Sequence, residues 1–263
     1  MNHYSLTMTF LHTIIYGIVE GITEFLPISS TGHLILASKL LKITQTDFVK
    51  SFEIAIQLGA ICSVVFLYWR RLFVDRAVLK RLIVAFVPTA IIGFIFYKII
   101  KSIFLGSEKI TLWALLVGGL FLIIFELVYK EKESAIEDMA GMTYKQAFFI
   151  GVCQSIAVVP GVSRAAATII GGLMAGMKRK TIVEFSFLLA VPTMLAATGF
   201  DILKSAGNFN LSEFGYLASG FIVSFIVAII AIKFLLSFIK SHTFITFGFY
   251  RIIIAIIFFW LAI

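Results

Sequence analysis

The sequence predicts an all-α polytopic membrane protein, an inverted-topology repeat in which each half is a re-entrant helical hairpin plus three transmembrane helices. Three observations predict it. Of the 263 residues, 60% are hydrophobic, the mean hydropathy is +1.05 and only 14% are charged, against roughly 25% in soluble domains. Six apolar stretches approach the ~20 residues that a helix needs to cross a bilayer. The order of segments up to Tyr129 recurs from Tyr144 onward. The reading is one membrane domain over 1–263, with repeat 1 at about 8–129 and repeat 2 at about 144–263.

The first element is broken. Leu11 to Leu26 is apolar but carries Glu20 and Glu24, which share a helix face one turn apart. Pro27 stops the helix, having no N–H and disfavouring a helical residue before it. Ser29, Ser30 and Thr31 then offer an N-cap for a second short helix starting near Thr31 and running through His33 to Leu41. Neither piece can span, so the pair reads as a re-entrant hairpin. Non-helical backbone at that depth is tolerated only when buried in protein or lining a wet cavity.

Three spans follow: Phe52 to Trp69, closed by Arg70 and Arg71; Leu82 to Tyr97, closed by Lys98 and Lys101; Ile110 to Tyr129, closed by Lys130 to Glu133. The polar stretch from Lys130 to Met142 is the midpoint. Then Tyr144 to Val159 is apolar, broken at Pro160-Gly-Val-Ser163-Arg164 and resumed from Ala165 to Met177. Val183 to Phe200, Phe214 to Leu236 and Phe244 to Ile263 complete the second half. Gly17-Ile-Val-Glu20 aligns with Gly151-Val-Cys-Gln154, Pro27 to Ser30 aligns with Pro160 to Arg164 across one gap, and Phe52-Glu53 aligns with Val183-Glu184. An odd number of spans per half forces opposite orientations. Repeats of that kind place the site where broken helices meet near mid-membrane.

The net charge of +8 fits basic cytoplasmic loops and requires no nucleic-acid partner. With Arg70 to Arg81 inside, thirteen Lys and Arg fall inside and seven outside, leaving Arg164 and Arg251 at membrane depth. Both termini and the mouth of the first hairpin then face outward. Cys62 and Cys153 lie in apolar runs and read as packing residues. Met1 to Thr9 is not basic, so no cleavable signal peptide is read there.

Chemistry concentrates at the two breaks. A carboxylate at membrane depth costs on the order of 3 kcal/mol and marks function. Glu20 and Glu24 repel unless a proton or a cation relieves them, and hard divalent Mg²⁺ or Ca²⁺ suits oxygen ligands. Ser29, Ser30 and Thr31, beside His33, supply a cap and a nucleophile that a neighbouring base can activate. Arg164, with Ser163 before it and Thr168 four residues on, presents a fork that fits phosphate or carboxylate. Together these suit phosphoryl transfer; a buried structural ion pair between Arg164 and Glu20 or Glu24 is the plainer alternative. Glu53 and Gln57, at i and i+4, are outer candidates. Glu126 reads as interfacial, Glu184 as facing Lys180, and Arg251 as paired or snorkelling.

The segments Glu20-Gly-Ile-Thr-Glu24-Phe-Leu-Pro27-Ile-Ser29-Ser30-Thr31-Gly32-His33 and Pro160-Gly-Val-Ser163-Arg164, with Thr168, resemble the two signature segments of the undecaprenyl-pyrophosphate phosphatases, the bacitracin-resistance family of bacteria. The likeness continues through Phe52 to Gly59, Tyr68 to Phe73, Met142 to Phe148 and Glu184 to Pro192. It implies removal of the terminal phosphate from undecaprenyl diphosphate, giving the lipid carrier for peptidoglycan synthesis. It places the protein in the bacterial inner membrane with its site facing the periplasm or outside. By that resemblance Glu20 and Glu24 bind the divalent cation and orient water, and Ser30 is the nucleophile or a phosphate ligand. His33 is then the other nucleophile or a general base. Arg164, Ser163 and Thr168 hold the diphosphate. Apart from the resemblance, Ser29, Thr31 and Gln57 are read as further substrate-binding candidates. Where the family reads S-R-S-G, this chain has Ser163-Arg164-Ala165-Ala166, so backbone N–H groups are expected to serve there. The implied partners are a polyprenyl diphosphate and membrane lipid, with no nucleic acid; a homodimer stays open. An inverted-repeat transporter or flippase of an anionic prenyl phosphate is the rival reading.

Overall fold

The computed structural model describes residues 8–96, 107–205 and 214–262. Ten α-helices are present among them, and no strand. The first half holds α1 (Phe10–Thr23), α2 (Ser30–Leu40), α3 (Asp47–Phe73), α4 (Arg76–Ile95) and α5 (Glu108–Val128). The second holds α6 (Tyr144–Ser155), α7 (Arg164–Met174), α8 (Arg179–Ser205), α9 (Phe214–Phe238) and α10 (Ile245–Ala262). Five helices (α3, α4, α5, α8 and α9) are long and apolar enough to cross a membrane, making this a multi-pass membrane protein. The sixth expected span is α10, a shorter apolar helix. Tyr97, Lys98 and Lys101, expected at the end of the second span, lie outside the described residues, as do the side chain of Lys204 and Ile263.

The helices overrun the apolar segments that signalled them, because their polar ends cap them. Thr46 accepts the Val49 N–H at 3.2 Å and starts α3 before Phe52, while Arg70 and Arg71 belong to its last turn. Asp75 takes the N–H groups of Ala77 and Val78 and starts α4 before Leu82. At the first break the chain leaves helix earlier than Pro27 requires: α1 ends at Thr23, and Glu24 is its C-cap.

The two halves share details. Thr9 and Thr143 each form a capping box, with His12 and Gln146, at the starts of α1 and α6. Ser29 and Ser163 cap α2 and α7 with nearly the same positive φ, 72° and 73°. Each hairpin packs on the opposite half, α1 against α9 and α6 against α4, while α3 meets α8 and α5 meets α10. Gly17 and Gly151, aligned in sequence, sit at those crossings. A Cβ on Gly17 would lie 2.9 Å from the Gly220 carbonyl oxygen, and one on Gly151 would strike that of Ala85. Small residues let membrane helices approach this closely. The largest buried cluster joins Phe25, Phe185, Phe187 and Leu188 and lies behind both breaks.

Glu126, read from the sequence as interfacial, is enclosed by protein. It is buried and takes a two-pronged ion pair from Arg179 of α8, with Nη2 at 3.1 Å. Arg179 therefore staples α5 to α8.

Candidate active site

Both breaks end in a strained serine. A non-glycine residue with positive φ costs on the order of 1–3 kcal/mol and persists where the surroundings impose it. At each serine the turned backbone lets the side chain accept an N–H from the next helix, Gly32 at 3.4 Å for Ser29 and Ala166 at 3.2 Å for Ser163. The caps leave the residues that follow them, Ser30 and Arg164, at the first helical position facing one another across the site.

Glu24 joins them. Ser30 donates its hydroxyl to Glu24 Oε2 at 2.6 Å, and Arg164 Nη2 donates to Glu24 Oε1 at 3.1 Å. The Glu24 and Arg164 side chains are only 5% and 10% exposed, so this is a buried pair between the two halves of the chain. Arg164 Nη1 also donates to the Ser186 carbonyl of α8 at 2.8 Å. Phe25 packs edge-on against Phe187 and lies under the guanidinium, fixing the first break to α8.

A cavity of about 510 Å³ opens in front of this pair. Glu24, Ser29, Ser30, Thr31, Gln57, Ser163 and Arg164 line it, and all were expected at the site. Its far wall is apolar: Phe86, Ala90 and Phe94 of α4 face Met194, Ala196 and Ala197 of α8. Phe94 is 79% exposed on the outer surface, so the cavity runs from a polar end toward the membrane-facing side of α4.

Three expected residues sit elsewhere. His33 does not line the cavity: its Nδ1 is 2.7 Å from the Ser29 carbonyl, its Nε2 2.8 Å from the Tyr250 hydroxyl, and its ring stacks on Tyr250. The group beside Ser30 that can take its proton is Glu24. Thr168 is buried behind Arg164, its one hydroxyl proton shared between Gln154 Oε1 at 3.0 Å and the Arg164 carbonyl at 2.9 Å. Glu20 is fully buried one turn behind Glu24, and neither carboxylate oxygen has a hydrogen-bond partner. A carboxylate so placed needs a proton or a cation. Glu20 and Glu24 give an all-oxygen donor set that fits a hard divalent ion. Among the described residues no group of three or more His, Cys, Asp or Glu gathers, so water and substrate oxygens would complete the shell, the habit of Mg²⁺. Of the outer candidates, Glu53 accepts from Gln45 at 3.2 Å and stays out of the cavity. Ala165 and Ala166 are both buried, and the Ala166 N–H serves the Ser163 cap.

Sequence reasoning missed Gln154 and misread Arg251. Gln154, an amide in an apolar helix, lines the cavity and donates to Thr89 of α4 at 3.0 Å and to Thr193 of α8 at 3.1 Å. Its alignment with Glu20 was the available signal. Arg251 neither snorkels nor pairs with a carboxylate among the described residues. It is fully buried, and its guanidinium donates to five backbone carbonyls: Pro27 at 3.4 Å, Gly161 at 2.8 Å, Val162 at 3.0 Å, Ala114 at 3.0 Å and Leu115 at 3.3 Å.

With this geometry in view, comparison with known proteins is decisive. A family model described as "Bacitracin resistance protein BacA" matches residues 13–257. The chain belongs to the BacA family. Relatives named undecaprenyl-diphosphatase include those of Sulfurihydrogenibium sp., 55% identical over 96% of this chain and 99% of the relative, and Aquifex aeolicus, 54% identical over 95% and 98%. That of Wolinella succinogenes is 49% identical over 95% of this chain and 97% of its own. The match to the BacA family runs through both breaks and every helix from α2 to α9.

Proposed function

We propose that this chain is an integral membrane phosphatase that hydrolyses undecaprenyl diphosphate to undecaprenyl phosphate and inorganic phosphate, recycling the lipid carrier of cell-wall synthesis. Family membership and the names of its relatives support the reaction. The observation that carries the assignment to particular residues is the shared carboxylate of Glu24, held by Ser30 on one side and Arg164 on the other at the polar end of a cavity with apolar walls.

In this reading the prenyl chain lies along Phe86, Ala90 and Phe94 of α4 and leaves toward lipid, with the diphosphate at the meeting of the breaks. Arg164 neutralises phosphate oxygens, and the starts of α2 and α7 face the anion. Ser30 Oγ attacks the terminal phosphorus while its proton passes to Glu24. The bond from phosphorus to the bridging oxygen breaks and undecaprenyl phosphate leaves. Glu24 passes that proton to the leaving undecaprenyl phosphate and is ionised again when water attacks the phosphoserine. It takes the water proton and returns it to Ser30 Oγ as the bond from phosphorus to Oγ breaks, and inorganic phosphate departs. A divalent ion on Glu20 and Glu24, when bound, supplies further charge neutralisation at the phosphate.

The same reading includes an inverted repeat of about 8–129 and 144–263 within one membrane domain, with re-entrant hairpins and the site open to the periplasm or outside. The matched capping serines and the reciprocal packing of α1 on α9 and α6 on α4 support it. Phosphate release from undecaprenyl diphosphate by the purified protein tests the function. Acid-stable phosphoserine at Ser30 after rapid quench tests the covalent route, and its absence under single-turnover conditions would leave Ser30 as a phosphate ligand only.

A further inference from the structure

We infer that Arg251 is a positioning residue that locks the two breaks in register and sets the spacing of Ser30 from Arg164. The inference rests on the reading that both breaks serve one diphosphate. A guanidinium has five N–H donors in a rigid fork, and all five of those of Arg251 are spent on main-chain carbonyls. One belongs to the first break, Pro27, and two to the second, Gly161 and Val162. The other two, Ala114 and Leu115, belong to α5, so the fork braces both breaks against a long helix. No other described side chain bonds to backbone of both breaks by as many contacts. A buried cation served only by neutral carbonyls carries a large desolvation cost, and its place at the join of the halves gives a reason for keeping it.

The fork also turns peptides. A trans peptide directs its C=O and N–H in opposite senses. With the Val162 carbonyl drawn to Arg251, the Ser163 N–H on the same plane faces away from Arg251. Ser163 and Gly161 line the cavity and Arg251 does not. The clamp thus stands behind the breaks and turns the first amide of the α7 cap toward the substrate side. Lysine cannot replace it, since three donors on one nitrogen do not spread across two breaks and a helix. Gly118 makes room for the fork: a Cβ there would run into the Arg251 guanidinium, and its backbone is not in the left-handed region.

The test uses full-length Arg251→Lys and Gly118→Ala, purified and scored for folded fraction by thermal melting. Gly118→Ala keeps Arg251 and every carbonyl, so it decides even where the lysine variant folds poorly. A displacement near 1 Å costs about 100-fold in rate. We expect kcat per folded molecule to fall by about that factor in both variants while KM changes less than about threefold. A second readout needs no turnover, so it stands apart from the phosphatase assignment. Nitroxide labels at Thr31 and Val159, in a chain with Cys62 and Cys153 replaced by Ala, should show a broader separation in Gly118→Ala than with Gly118 intact. Wild-type kcat per folded molecule in Gly118→Ala, or an unchanged label separation, overturns the inference.

Discussion

Replacing Glu24 by Gln changes one oxygen for one nitrogen in a site that has no slack. The native carboxylate receives the Ser30 hydroxyl at 2.6 Å and the Arg164 guanidinium at 3.1 Å, one on each oxygen. The amide keeps a single acceptor, so one of the two donors loses its partner, and it cannot take the Ser30 proton. General-base assistance is worth about 10² to 10⁴ in rate, and a charge-assisted hydrogen bond about 1.5–3 kcal/mol. With tenfold per 1.36 kcal/mol, the expected loss in kcat is about 10³-fold, near 4 kcal/mol. Stability should suffer less than the ~3–5 kcal/mol typical of a broken buried pair, because Arg164 keeps the Ser186 carbonyl and the amide oxygen still accepts; roughly 2 kcal/mol is expected. The assay is phosphate release from a prenyl diphosphate in detergent micelles, with melting followed in parallel. Glu24→Gln within threefold of wild-type kcat would refute the role given to that carboxylate.

Three further outcomes follow from the same geometry. His33→Phe should lower kcat less than about tenfold, because the ring lies against Tyr250 outside the cavity and has no proton-transfer task; a loss comparable to that of Glu24→Gln would restore the imidazole as base. Ala90→Trp should raise KM for undecaprenyl diphosphate more than for a short farnesyl-type diphosphate, because it fills the apolar wall and not the polar end; equal effects on both would mean the tail lies elsewhere. Glu20→Gln should weaken activation by added Mg²⁺ or Ca²⁺ at least about tenfold, since it removes one of two anionic oxygen donors; an unchanged metal titration would leave Glu20 as a protonated structural group.

The breaks were legible because they violate the rules of their surroundings. Carboxylates, Pro27, three hydroxyls and Arg164 have no business in oil unless they work or pair, and pattern alone picked out the two stretches that the structure brings together at one cavity. The all-helical, multi-pass class was legible for the same reason, since apolar length is all that a spanning helix requires. What escaped was decided by main-chain direction. Nothing in the sequence around Arg251 says that five carbonyls will turn toward it, so pairing or snorkelling was the expectation. His33 adjoins the hydroxyls in sequence, yet the turn at Ser29 and the stacking on Tyr250 carry its ring out of the cavity. Glu126 and Arg179 are far apart in the chain, so their pairing depended on how α5 and α8 pack. Gln154 carries no charge, and only its alignment with Glu20 set it apart.

The central claim is that residues from opposite halves act on one diphosphate as a unit. A double-mutant cycle on kcat/KM for phosphate release, using Ser30→Ala, Arg164→Ala and the pair, measures that coupling directly. The account predicts that each single variant loses most of the rate and that the pair is little worse than either. Free energies that simply add, with no coupling between Ser30 and Arg164, would contradict it.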